Sequence, residues 1–212
     1  MPGSRELYDA VLNGNAKKAH DVTQAAIGEG VAPMTLITEF MIPAMDEVGR
    51  LFEAEEYFVP ELLLAGRAMK SAMELLRPLL ASAGERMSTK VIIGTVKGDL
   101  HDIGKNIVAS MLEGSGFEVV DLGSDVAPEK FVTAVEEHEP QFVCMSALLT
   151  VTIPAMKTTI DALSAAGLRT RVKVLVGGAP VTPKYAREIG ADGYSESASG
   201  AVTLVRNMVA AA

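Results

Sequence analysis

The sequence predicts an α/β protein in which a small helical bundle precedes a doubly wound, five-stranded parallel sheet of strand order 2-1-3-4-5. Up to about residue 83, apolar residues recur at the i, i+3, i+4, i+7 spacing of buried helix faces. After residue 88, short β-branched runs alternate with helical windows, which is typical of a parallel sheet covered on both faces. We therefore predict a helical domain over residues 1–87 and an α/β domain over residues 88–212.

Four helices are predicted in the first domain. The run Asn13-Gly14-Asn15 should end the first helix and begin the second. The third helical pattern contains Pro43, which should kink or split that helix. The fourth should begin near Pro60, because proline suits a first helical turn. Four helices in this length form a small bundle.

Five strands are predicted in the second domain, and Gly116, Gly167 and Gly190 fall where the intervening helices should end. The strands are predicted at Val91–Val96, Glu118–Leu122, Phe142–Met145, Val172–Val176 and Gly193–Tyr194.

Composition excludes several classes of protein. The net charge is −8 and no basic tract is present, so a nucleic-acid partner is not expected. No apolar run approaches the roughly 20 residues that span a bilayer, and the polar N-terminus is not a secretory signal. Cys144 is the single cysteine, which rules out an internal disulfide framework and a cysteine-rich zinc site. A cytoplasmic location and no membrane partner are expected.

Polar residues and glycines follow three of the predicted strands. Ligands of such a sheet bind at the carboxyl ends of the strands, where the strand order reverses between strands 1 and 3. The loop after strand 1 lacks the glycines of a dinucleotide site, but it carries His101 with Asp99 two positions earlier. The loop after strand 3, Ser146–Thr152, is rich in hydroxyl groups. Gly177-Gly178 after strand 4 permits a close approach of backbone to ligand.

These three elements resemble the cobalamin-binding signature in residue types, order and spacing. They are Asp99-x-His101-x-x-Gly104, Ser146-x-Leu148 and Gly177-Gly178. The chain is similar to the B12 module of cobalamin-dependent methionine synthase. It is more similar to the corrinoid proteins of methylamine, methanol and methoxy-aromatic (O-demethylase) methyltransferase systems, and the resemblance covers nearly the whole chain.

The resemblance implies that His101 is the lower ligand of cobalt, in place of the cofactor's own dimethylbenzimidazole. Neutral imidazole is a good ligand for transition metals, and a carboxylate usually orients its second nitrogen. Asp99 is expected to accept that N–H, and Thr152 to bond the carboxylate in turn. Proton uptake along these three side chains would ease release of the imidazole, so Asp99 and Thr152 are the expected catalytic residues.

The resemblance also implies a set of cofactor-binding residues, with the nucleotide tail beside Ser146 and the glycine pair. An ordinary alternative exists for Asp102, as a charge at a helix N-terminus, and for the hydroxyl residues of the second loop, as helix caps. The implied set is Asp99, Leu100, His101, Asp102, Ile103, Gly104, Ser146, Leu148, Thr150, Thr152, Gly177, Gly178 and Ala179.

In the bundle, Phe52 and Val59 fall on the two apolar side chains that shield the reactive face of the corrin in this family. The ordinary alternative is that both belong to the bundle core. Because a methyl group must reach a partner from that same face, we expect the bundle to act as a movable cap, with residues 81–88 as its hinge.

The function implied is that of a methyl carrier which does not turn over alone. A substrate:corrinoid methyltransferase would load Co(I) to give methyl-Co(III), and a second methyltransferase would pass the methyl group to tetrahydrofolate or a thiol. A reductive activase that rescues Co(II) is a further candidate partner. The methyl donor and the oligomeric state are not visible in the sequence.

Two alternatives belong to other classes. One is an adenosylcobalamin sensor or photoreceptor, although such regulators usually carry a DNA-binding module and a tryptophan over the cofactor, and this chain has no tryptophan. The other is the small subunit of a cobalamin-dependent mutase, which typically lacks a preceding bundle. The upper ligand recovered with the protein, methyl or 5′-deoxyadenosyl, would distinguish them.

Overall fold

The computed structural model describes residues 4–82 and 89–211, apart from the side chains of Ser4 and Ala81. The chain divides into a helical unit, Met1–Ser88 with Ser110–Phe117, and a sheet unit, Thr89–Ala109 with Glu118–Ala212. The predicted domain boundary at residue 87 and most of the predicted hinge at residues 81–88 lie outside the described residues. Both stay predictions.

The helical unit confirms the four predicted helices. Its elements are α1 (Ser4–Leu12), α2 (Ala16–Gly28), α3 (Pro33–Leu36), a π-helical turn (Ile37–Met41), α4 (Ile42–Glu53) and α5 (Val59–Ser82). The run from α3 through α4 is unbroken and forms the third helix. Between α1 and α2, Gly14 has a φ of 66° and Asn15 caps α2 by accepting a hydrogen bond from the Lys18 N–H. The predicted stop and start are therefore present.

The helix interruption predicted at Pro43 is observed as the π-helical turn that lies just before this proline. Proline has no N–H to donate to the carbonyl four residues earlier, that of Glu39. The residue before Pro43, Ile42, donates its N–H to the carbonyl of Ile37, five residues back. Pro43 itself lies in the first turn of α4. The helix continues after a local change of hydrogen-bond spacing.

The core of the helical unit comes from apolar faces at helical spacing. Met69 and Met73 of α5 are buried, as expected for methionines that fill space in a core. Other buried side chains of this core are Leu7, Val11, Leu36, Ile37, Met41, Met45, Val48, Leu62, Leu76 and Leu80.

The sheet unit has the predicted parallel order, β2-β1-β3-β4-β5. Its strands are β1 (Lys90–Thr95), β2 (Glu118–Asp121), β3 (Phe142–Ser146), β4 (Lys173–Gly177) and β5 (Gly193–Ser195). The helices that alternate with these strands or follow them are α6 (Ile103–Gly114), α7 (Pro128–His138), α8 (Pro154–Ala165), α9 (Pro183–Glu188) and α10 (Ala198–Ala210).

The register of the sheet brings the functional loops to one edge. Thr95 pairs with Ser146, Ser146 with Gly177, and Gly177 with Ser195, so β1, β3, β4 and β5 end level with one another. Because parallel strands share the direction of their carboxyl ends, the loops after β1, β3 and β4 leave the sheet side by side.

Glycines end three of the helices as predicted. Gly116, Gly167 and Gly190 have φ values of 90°, 71° and 79°, the left-handed conformation of a helix C-terminus. Over the described ranges, no helix combines the length and the apolar character needed to cross a membrane.

Candidate functional site

The carboxylate of Asp99 is the centre of the site. Asp99 is fully buried in the loop after β1. Its Oδ1 accepts the backbone N–H of His101 at 3.0 Å and lies 2.8 Å from His101 Nδ1. An ionised carboxylate can only accept, so Nδ1 carries the proton in this contact. The lone pair of the neutral ring is then on Nε2, the nitrogen that can bind a metal.

The second carboxylate oxygen of Asp99 is held by the loop after β3. Thr152 Oγ1 donates to Asp99 Oδ2 at 2.6 Å, and the backbone N–H groups of Leu148 and Leu149 donate at 2.7 and 3.3 Å. The structure thus brings together Asp99, His101 and Thr152, which the sequence singled out. Leu148, which was predicted to contact the cofactor, contacts Asp99 through its backbone N–H.

These hydrogen bonds keep Asp99 ionised despite its burial. Burial alone raises the pKa of a carboxyl group. The hydrogen bonds from Thr152, Leu148 and His101 outweigh burial and hold the pKa of Asp99 well below its ordinary value. The site therefore contains a buried anion whose position is set by donors from two loops.

The imidazole of His101 is accessible. Half of its side chain (51%) is exposed, whereas its Asp99 partner is wholly buried. Nδ1 is thus fixed on the protein side while the ring remains open to a ligand. A ring held in this way has one orientation and one tautomer in which to bind a metal.

Exposed apolar side chains occur on the two loops that carry His101 and Thr152 and on the first residue of α6. We call these five residues the apolar rim, and between 40% and 81% of each is exposed. They are Leu100, Ile103, Leu148, Leu149 and Val151. Such a cluster of exposed apolar residues marks a binding surface. Sequence reasoning assigned no contact to Leu149 or Val151, although apolar residues in a hydroxyl-rich loop were the available signal.

Thr95 is a further polar residue that sequence reasoning missed. It is buried at the end of β1, and its Oγ1 lies 3.1 Å from the carbonyl oxygen of His101 and 2.9 Å from Ser146 Oγ. Since Thr95 has one proton to give to the carbonyl, the Ser146 hydroxyl can donate to Thr95. The signal in the sequence was a threonine that ends an otherwise apolar strand.

The glycines of the signature have different physical roles. Gly178 has a φ of 121°, and a Cβ there would lie 2.0 Å from the carbonyl oxygen of Ala147, so the fold itself requires glycine. At Gly177 a Cβ would lie 3.1 Å from the carbonyl oxygen of Ser195. At Gly104, in the first turn of α6, a Cβ would meet nothing within 4 Å. Packing within the protein does not require glycine at position 104.

The remaining predicted residues of the loops lie at a helix N-terminus or at the exposed surface. Asp102 directly precedes α6, and its carbonyl accepts the Asn106 N–H at 2.8 Å, which fits the alternative of a charge at a helix N-terminus. Thr150 and Ala179 are exposed. The capping alternative for the hydroxyl residues is not observed, because α8 begins after Ile153 without a side-chain cap among the described residues.

Phe52 and Val59 lie in the helical unit. Phe52 is near the end of α4 and Val59 is the first residue of α5, and both are half-buried rather than core residues. Phe58, next to Val59, is 62% exposed. The shielding role of Phe52 and Val59 stays a prediction.

The site offers one imidazole, that of His101, rather than a complete set of metal ligands. Across residues 4–82 and 89–211, no three His, Cys, Asp or Glu side chains converge as a metal-binding group. A single exposed imidazole suits a metal that arrives with its other ligands in place, as in a macrocycle.

Comparison with known proteins identifies the family. The family described as B12 binding domain matches residues 89–203, and a second family of the same description matches residues 4–77. The trimethylamine corrinoid protein 1 of Methanosarcina acetivorans is 43% identical over 202 residues, which cover 93% of each chain. The chain belongs to the B12-binding corrinoid proteins.

Solved structures support the same family. A cobalamin-binding protein from Desulfitobacterium hafniense DCB-2 aligns with a TM-score of 0.77 at 36% identity, covering 95% of this corrinoid protein and 96% of that chain. The methanol:cobalamin methyltransferase complex of Methanosarcina barkeri aligns with a TM-score of 0.87 at 29% identity, covering 100% of this chain and 81% of that one.

The residues present fit a corrinoid. Cobalamin or a related corrinoid, a macrocycle that brings its own cobalt, is the cofactor of the family. The imidazole of His101 would hold the cobalt, while the apolar rim and the open space at Gly104 suit a flat, largely apolar macrocycle.

We predict that Asp99→Asn destabilises the corrinoid-free protein by about 2 kcal/mol at pH 7, because it weakens several hydrogen bonds to a charged group. Asp99 has a lowered pKa in the folded protein. Its contribution is therefore fully present above the unfolded-state pKa of about 3.9, decreases as the pH falls below that value, and is lost as the pH falls through the lowered folded-state pKa. Denaturant unfolding of both proteins at pH 7 and pH 3 measures this, and an equal difference at both pH values would contradict it.

We predict that Gly178→Ala lowers the stability of the protein, whereas Gly104→Leu leaves stability nearly unchanged and weakens corrinoid binding. Gly178→Ala should lower the free energy of unfolding by more than about 2 kcal/mol even without corrinoid, because of its φ and the Ala147 carbonyl. Gly104→Leu should change stability by less than about 0.5 kcal/mol but reduce corrinoid binding. Unfolding curves and corrinoid titration of both variants check this. Full binding by Gly104→Leu would show that no ligand lies against this turn.

Proposed function

We propose that this corrinoid protein carries a methyl group between two methyltransferases, and that His101 is the lower ligand of its cobalt. The observation that supports this best is the 2.8 Å contact between His101 Nδ1 and the buried Asp99, on a ring that is half exposed. This contact leaves Nε2 as the metal-binding nitrogen in a fixed orientation.

When bound, the corrinoid supplies a cobalt ion that can take up and give up a methyl group. Asp99 orients the imidazole and increases its electron donation through Nε2. Movement of a proton between His101 Nδ1 and Asp99 Oδ1 would change that donation. Thr152 and the Leu148 N–H hold the carboxylate in place while this occurs.

The apolar rim would hold the lower side of the corrin and exclude water around His101. Its five side chains are exposed at an edge where polar residues would otherwise be expected. Gly104 would let the ring approach the first turn of α6, where an added Cβ meets no protein atom within 4 Å. The nucleotide tail is proposed to run beside Ser146, Gly177 and Ala179.

The partner proposed for this protein is a methylamine:corrinoid methyltransferase. The relative from Methanosarcina acetivorans is a trimethylamine corrinoid protein, and it aligns over 93% of each chain. The aligned complex from Methanosarcina barkeri is a methanol:cobalamin methyltransferase, which supports docking on an enzyme of that kind. A second methyltransferase with a tetrahydrofolate or thiol acceptor and a reductive activase complete the proposed set.

A carrier explains these similarities better than the sensor or the mutase subunit. Both B12 binding domain matches together span residues 4–203 with one gap, and the corrinoid relative aligns across both.

We propose that Phe52 and Val59 shield the upper face in the resting carrier and that the bundle moves aside for the partner.

We predict that His101→Ala retains corrinoid through contacts with the tail but loses the visible spectrum of a histidine-ligated corrinoid. Asp99→Asn should keep ligation with an affinity about 10–100-fold weaker, as is typical when the partner of a metal ligand is changed. His138→Ala is the matched control, because His138 ends α7 just before β3 begins, at the edge of the sheet opposite the carboxyl ends of the strands. A histidine-ligated spectrum in His101→Ala would contradict the assignment.

We predict that the corrinoid-loaded protein accepts methyl groups from a trimethylamine methyltransferase given trimethylamine. Methylation is followed by the change in visible spectrum, with a methanol methyltransferase and methanol as the comparison. A higher rate with the trimethylamine enzyme is expected from the higher similarity. Preference for the methanol enzyme would contradict the proposed methyl donor, although it would leave the carrier function intact.

A further inference from the structure

Asp125, in the loop after β2, has a conformation and a set of contacts that the proposed function does not explain. Its φ is 53°, in the left-handed region that non-glycine residues seldom adopt. Aspartate and asparagine tolerate this region better than other side chains. Such a residue is retained where the surroundings fix it, often beside a functional site.

The contacts of Asp125 converge on the segment that leads to His101. Asp125 Oδ1 accepts the Gly98 N–H at 2.8 Å, and the Asp125 N–H donates to the Asp99 carbonyl oxygen at 2.9 Å. One residue therefore holds the backbone on both sides of the Gly98–Asp99 peptide through its side chain and its main chain. Lys97 Nζ donates to Asp125 Oδ2 at 3.0 Å at the exposed edge of this arrangement.

The neighbouring backbone anchors Asp125 itself. The Thr95 N–H donates to the Gly123 carbonyl oxygen at 2.9 Å, and the Val126 N–H donates to the Thr95 carbonyl oxygen at 3.0 Å. The loop after β2 thus continues to pair with the end of β1 beyond the regular strand. The left-handed conformation at Asp125 lies within this paired segment.

We propose that Asp125 is a positioning residue for His101, acting through Asp99; the inference rests on the proposed ligand role of His101. Asp99 is held by its carboxylate from the loop after β3 and by its backbone from the loop after β2. Loss of the hydrogen bonds from Asp125 to this backbone would let Asp99 shift relative to the imidazole. The ring would then sample more than one orientation and tautomer.

Three substitutions of Asp125 distinguish the contribution of its side chain from that of its left-handed backbone conformation. Asp125→Asn keeps the tolerance for the left-handed conformation and an oxygen for the Gly98 N–H. Asp125→Gly keeps the conformation but removes the side chain, and Asp125→Ala removes the side chain and disfavours the conformation. Lys97→Met is the matched control, because it removes only the exposed ion pair.

The first measurement uses the corrinoid-free protein. Nitrogen-15 NMR of the imidazoles at pH 8 reports the ratio of the two neutral tautomers of His101. The wild type should show chiefly the tautomer with the proton on Nδ1, since Asp99 accepts it. The minor tautomer should increase at least about threefold in Asp125→Gly and Asp125→Ala, and it should be unchanged in Asp125→Asn and Lys97→Met.

The second measurement uses the corrinoid-loaded protein and its visible spectrum. The ratio of histidine-ligated to unligated corrinoid should fall about tenfold in Asp125→Gly, at the lower end of the range for a partner of a metal ligand. An unchanged tautomer ratio in folded Asp125→Gly would overturn the inference. Wild-type protein that lacks histidine ligation would instead overturn the proposed ligand role of His101, and the tautomer ratios would still decide the role of Asp125.

Discussion

The buried, ionised carboxylate of Asp99 is the constraint on which the rest of the site depends. A charge without water must be hydrogen-bonded from every side, and the fold supplies donors from two loops to do so. The same requirement fixes where His101 can lie, because its Nδ1 is one of those donors. The geometry that solvates Asp99 is thus the geometry that presents the imidazole.

The parallel sheet makes this arrangement possible. Level ends of β1, β3 and β4 set three loops beside one another, and residues about fifty positions apart in sequence meet at Asp99. Two further hydrogen bonds fix the loop that carries His101: Thr95 bonds the His101 carbonyl, and the Asp125 N–H bonds the Asp99 carbonyl. The loops are therefore hydrogen-bonded to one another around Asp99, while the side chains of the apolar rim stay exposed.

The sequence predicts the strands, their order and the association of Asp99, His101 and Thr152, because continuous apolar runs and a spaced signature report those features directly. It does not reveal the role proposed for Asp125, which rests on a left-handed φ and on backbone partners in another loop. The reason for Gly178 was likewise hidden, since the carbonyl that forbids a Cβ belongs to Ala147 in a different loop. The π-helical turn before Pro43 was predicted as an interruption, but not in its form.

The measurement that tests the account most directly is the EPR spectrum of the cobalt(II) corrinoid protein prepared with and without nitrogen-15 histidine. Coordination by an imidazole of the protein predicts that each nitrogen splitting changes from three lines to two on labelling, and that His101→Ala abolishes the effect while His138→Ala does not. A splitting that is indifferent to histidine labelling would show that the lower ligand comes from the cofactor. The role assigned here to the contact between Asp99 and His101 would then be wrong.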